Sequence, residues 1–72
     1  MQHLTHVPEI AEQVAMNLIF DACRSNLRRE PRTLRDGYTV TFNLKANGEH
    51  EAVLRDASSE VVALADIDGF DC

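Results

Sequence analysis

Four groups of side chains in this sequence are candidates for binding or catalysis. The first is the closing stretch ADIDGFDC, residues 65–72, with Asp66, Asp68 and Asp71 around Gly69. A calcium-binding EF-hand loop needs oxygen ligands at positions one, three and five before an invariant glycine at six. Setting Gly69 at that glycine puts Asp68 at five and Asp66 at three, but Leu64 at one. Leucine has no side-chain oxygen, so the calcium-loop reading fails. Asp68-Gly69 reads instead as a turn after the last strand, with Phe70 folding back onto the core.

The second group is His3, His6 and His50. His3 and His6 have a ligand-compatible H-x-x-H spacing, yet a structural zinc site needs four ligands and no C-x-x-C pair completes one. His50 stands between Glu49 and Glu51 at a hairpin tip, where nothing excludes water or tunes a proton-transfer group. The third group is the thiols, Cys23 and Cys72. Cys23 falls on an apolar helix face and reads as a small hydrophobe; two cysteines do not make a disulfide framework. There is no G-x-S-x-G and no phosphate-cradling glycine loop, since the glycines are scattered at 37, 48 and 69. The expectation is a protein that is not an enzyme, with no metal and no cofactor.

The fourth group is a belt of arginines. Residues 24–36 carry Arg24, Arg28, Arg29, Arg32 and Arg35 against Glu30 and Asp36, a net +3. Residues 1–23 total −3 and residues 37–72 total −5, for −5 over the 72-residue chain. Arginines on the last turns of a helix complement its dipole. Continued into a loop, they also offer a patch to phosphates or to acidic protein surface. Against nucleic acid stand the acidic pI near 4.9 and the absence of interleaved aromatics.

The elements that must position these groups follow from periodicity. Val7-Pro8-Glu9 is a helix opening, and Val7, Ala11, Val14, Leu18 and Ala22 recur at spacings of three and four. The spacing predicts a helix over 7–29, about 33 Å long, ended by Pro31. Residues 31–37 read as a loop. The segment YTVTFNLK, 38–45, alternates apolar and polar as a half-buried strand does. Asn47-Gly48 then turns the chain into a return strand over 49–55. Pairing Lys45 with Glu49 sets Phe42 beside Ala52 and Val40 beside Leu54, which keeps charges off the apolar face. Residues 60–67, EVVALADI, suit a third strand better than a short helix. The predicted fold is α+β, a single domain with one long N-terminal helix packed on a three-stranded antiparallel β-meander (α-β-β-β).

A second apolar seam on the helix, Met16, Phe20, Cys23 and Leu27, exceeds what one sheet needs to cover. Either it packs on loop 30–37 and the C-terminal tail within the monomer, or it binds another chain, with a helix-mediated homodimer the commonest form. The acidic half offers Glu49, Glu51, Asp66 and Asp68 to a basic partner. The predicted partner surfaces are therefore Met16, Phe20 and Leu27; Arg24, Arg28 and Arg32; and those four acids. No apolar run approaches the roughly 20 residues of a membrane span, and no basic-then-apolar leader opens the chain, so the default is a soluble cytoplasmic protein. At the level of class only, the chain resembles the small acidic proteins that phages and mobile elements encode to bind host machinery, such as anti-CRISPR proteins and antitoxins. The reading is a protein-binding regulator or inhibitor. The alternatives are a nucleic-acid-associated regulator docking through the arginines and, third, a small metal-binding module.

Overall fold

A computed structural model of the chain describes residues 4–67. The expected turn at Asp68-Gly69, the Phe70 anchor, His3 and Cys72 lie outside the described residues. The elements are β1 (Leu4–His6), α1 (Glu12–Cys23), β2 (Arg32–Thr33), a 3-10 turn (Arg35–Gly37), β3 (Thr39–Leu44), β4 (His50–Arg55) and β5 (Val61–Asp66). The strands make one antiparallel sheet in the order β1-β5-β4-β3-β2. The α+β class holds, but the sheet has five strands rather than three. The predicted meander is its centre, and a short strand is added at each edge.

The central hairpin has the register that its turn chemistry dictates. Gly48 takes φ 87° in the left-handed region, and its N–H donates to the Lys45 carbonyl at 3.0 Å. The Lys45 N–H donates to the Glu49 carbonyl at 2.7 Å, which pairs Phe42 with Ala52 and Val40 with Leu54. The β4–β5 turn repeats this plan with different residues. Ser59 holds the left-handed position at φ 67°, its N–H donates to the Asp56 carbonyl at 2.9 Å, and the Asp56 N–H donates to Glu60 at 3.0 Å.

Residues 31–37 are not a plain loop. Asp36 (φ 56°, ψ 25°) and Gly37 (φ 79°) supply the two consecutive positive φ angles of a type I′ turn, closed by the Tyr38 N–H on the Arg35 carbonyl at 3.1 Å. This brings Arg32 and Thr33 beside Val40 and Thr39 as β2. At the other edge, β1 pairs Leu4, Thr5 and His6 with Ala65, Leu64 and Ala63.

The helix is half the predicted length. Pro8 sits in a turn rather than in a helical opening, because the Ile10 N–H bonds the Val7 carbonyl at 3.3 Å; α1 begins only at Glu12. It buries Ala15, Leu18, Ile19, Ala22 and Cys23 against Val40, Ala52, Leu54, Ala63 and Ala65. Val14 is 39% exposed and Ala11 is also exposed, so the core stripe is rotated from the predicted one. Three alanines on the sheet and two on the helix let the two layers approach closely. Leu18, Ile19 and Leu54, all fully buried, fill the space that remains.

Candidate binding surface

The helix stops because Asn26 replaces its next turn. Arg24 leaves the helical region (φ −59°, ψ 127°) and Ser25 takes φ 55°, so the Asn26 N–H returns to the Cys23 carbonyl at 3.1 Å. A second turn follows at once: the Arg29 N–H donates to the Asn26 carbonyl at 3.1 Å, with Arg29 at φ 54°. The Asn26 side chain is only 2% exposed. Its Nδ2 donates to the carbonyls of Ala22 (3.0 Å) and Glu30 (2.8 Å), and its Oδ1 accepts the Glu30 N–H (2.9 Å). One buried amide thus ties the helix end to the start of the following loop, and its polar atoms are satisfied. Sequence reasoning missed it; the signal was an Asn beside a Ser just after the apolar stripe.

This lobe presents the arginine belt, but not on helical turns as predicted. Arg24 caps the helix, while Arg28 and Arg29 lie beyond it, and the last turn of α1 carries no basic residue. Dipole complementation therefore does not account for Arg28 and Arg29. Arg32 lies on β2, and Arg35 on the turn that follows it. The Arg32 guanidinium reaches the Ser25 carbonyl at 3.4 Å, and Arg29 reaches the Asn26 carbonyl at 3.5 Å. Among the described residues, none of Arg24, Arg28, Arg29, Arg32 and Arg35 pairs with a carboxylate; the ion pair found is Lys45–Asp66. Leu27, in the middle of the lobe, is 87% exposed.

The second apolar seam does not exist as a continuous stripe. Cys23 is 1% exposed inside the core, and Phe20 is half-buried against it. Met16 is half-buried, and Leu27 is beyond the end of the helix. The exposed side of α1 carries Gln13 and Asn17, hydrogen-bonded to each other at 3.0 Å.

The acidic residues divide as well. Glu51 and Asp66 face each other across β4 and β5, a like-charge pairing that is unfavourable alone. The Lys45 Nζ sits 2.9 Å from Asp66 Oδ1 and relieves it. The hydrogen bond to Asp66 raises the Lys45 pKa above 10.5, although partial desolvation opposes it. With Thr5 and Leu64 these residues line a shallow recess of about 290 Å³ on the face away from the helix. Glu49 is exposed at the hairpin, where it accepts the Asn47 side-chain N–H at 3.0 Å. Asp68 lies outside the described residues. No group of three His, Cys, Asp or Glu among the described residues is placed to hold a metal ion, and none of their helices is long and apolar enough to cross a membrane.

Among the described residues, these features define an α+β fold of one helix on an open five-stranded antiparallel sheet, with an arginine-bearing lobe at the end of the helix. No protein-family model matches the chain, and no curated protein or solved structure matches it either.

Proposed function

We propose that the chain is a small, non-enzymatic protein-binding regulator or inhibitor that acts by covering an acidic surface of its partner. The observation that carries this reading is the arginine lobe. Arg24, Arg28, Arg29 and Arg32 are gathered on two consecutive turns and an adjoining strand, and none pairs with a carboxylate among the described residues. Guanidiniums left unpaired in an acidic chain are available to an external anion, and the charge separation orients the approach.

The same lobe could meet phosphates, but duplex DNA carries a charge about every 1.7 Å along its axis. Residues outside 24–36 total −8 and would be repelled along that length, whereas an acidic patch on a protein is local. The test is fluorescence anisotropy with labelled poly-L-glutamate over a salt series. Binding should weaken about tenfold or more in Arg28→Glu with Arg32→Glu and should fall with salt; equal binding by the double variant refutes the reading.

A further inference from the structure

We propose that residues 24–32 form a plug-and-ring docking lobe, a deepening that rests on the binding reading above. Leu27 enters an apolar socket in an acidic protein surface, Arg24, Arg28, Arg29 and Arg32 meet carboxylates around that socket, and Asn26 holds plug and ring in place. Leu27 is set apart by its setting among the arginines. It is 87% exposed, the most exposed large hydrophobic residue among those described. It follows Asn26 in a turn closed by the Arg29 N–H on the Asn26 carbonyl, a position that accepts most residue types. Local conformation does not ask for leucine there, and the fold gains no burial from it.

The ring is poised for exchange. The contacts of Arg29 and Arg32 to backbone carbonyls are long, 3.5 and 3.4 Å. A carboxylate at 2.7–2.9 Å in a bidentate pair displaces such contacts readily. Arginine around an apolar anchor is the composition of protein interface centres. Phosphate recognition has no use for the anchor. A bilayer would need more than one leucine for stable attachment, and the remaining −8 of the chain opposes an anionic leaflet.

The backbone of the lobe is also braced before binding. The Asn26 amide ties Ala22 to Glu30 on either side of the plug through three hydrogen bonds of 2.8–3.0 Å, so the ordering cost on association falls mainly on the arginine side chains. Asn26 touches no partner in this scheme and acts as a positioning residue.

The probe is a displayed library of random 12-residue peptides selected on the wild-type chain, with the enriched peptides then titrated by anisotropy. Enriched sequences should place an aliphatic or aromatic residue beside two or more Asp or Glu. Leu27→Ser should weaken them roughly ten- to hundredfold, the value of one buried leucine, without changing the melting temperature. Asn26→Asp keeps the acceptor and loses both donors; it should weaken binding at least fivefold, with faster amide exchange confined to residues 24–30. Should that variant unfold, exchange in the wild type decides the point: the Glu30 amide should be as protected as those of β4, and rapid exchange there refutes the positioning role. If Leu27→Ser binds as the wild type does while the arginine reversals weaken binding, the plug is refuted and the binding reading stands. If neither matters, both fall. Tighter binding to a 20-base-pair duplex, or to vesicles of phosphatidylcholine with phosphatidylserine, than to any selected peptide also overturns the proposal.

Discussion

Asn26 grips the backbone of Glu30 from both sides: its Nδ2 donates to the Glu30 carbonyl at 2.8 Å while its Oδ1 accepts the Glu30 N–H at 2.9 Å. A third bond, to the Ala22 carbonyl at 3.0 Å, anchors the clasp to the helix. Asn26→Ala removes a residue that is 2% exposed and leaves the buried Ala22 carbonyl and the more accessible Glu30 backbone groups without these bonds, so it should cost roughly 1–3 kcal/mol. Urea denaturation checks this, and a loss below about 0.5 kcal/mol would show that water replaces the amide without difficulty.

Gly37 is required twice over. Its φ is 79°, and a Cβ built on it would stand 2.8 Å from the Ala57 Cβ in the β4–β5 turn. Gly37→Ala should therefore destabilise the fold by about 1–3 kcal/mol. Adding Ala57→Gly removes the clash but not the backbone strain, so the double variant should recover only part of the loss. Full additivity in the mutant cycle would mean that the two turns do not touch.

How much of this was legible in the sequence depends on the element. The β3–β4 register could be read in full, because Asn47-Gly48 marks the turn, β3 alternates apolar and polar residues, and pairing Lys45 with Glu49 keeps charges off the apolar face. The turn at Asp36-Gly37 carried the same kind of dipeptide signal, but β2 is two residues long and offers no alternation to confirm it. β1 has three residues and exists through pairing with β5, some sixty residues away, which no local pattern reports. The helix was over-extended at both ends for one reason. Val7 and Leu27 continue the apolar spacing, while the features that end the helix are a turn at Pro8 and the hydrogen bonds of Asn26 to Ala22 and Glu30, which apolar spacing does not report. For the site, the arginines were visible as a cluster, but their lack of partners and the exposure of Leu27 became apparent only in three dimensions.

Ser59 and Gly48 occupy equivalent positions in turns of the same plan, at φ 67° and 87°. A side chain in that region costs about 1–2 kcal/mol, which glycine's extra unfolded-state entropy only partly offsets. Ser59→Gly should raise stability by about 0.5 kcal/mol, whereas Gly48→Ser should lower it. Thermal melts of the two variants should move in opposite directions; shifts of the same sign would contradict the equivalence.

The Lys45–Asp66 pair gives a pH signature. The hydrogen bond from Lys45 to Asp66 raises the lysine pKa above 10.5 in the folded chain. Its stabilising contribution is therefore complete below the unfolded value and is lost as pH rises through the folded one. Wild type should lose stability relative to Lys45→Gln only above about pH 10.5. Parallel stability curves across pH 9–12 would show that the pair contributes nothing.

Whether partners are met through residues 24–32 is decided by amide chemical-shift mapping during titration with poly-L-glutamate. Shifts should concentrate between Arg24 and Arg32, be largest from Leu27 to Arg29, and vanish in Arg28→Glu with Arg32→Glu. Shifts centred on Met16 and Phe20 or on the sheet around Glu51 and Asp66, or no shifts at any concentration, would contradict it.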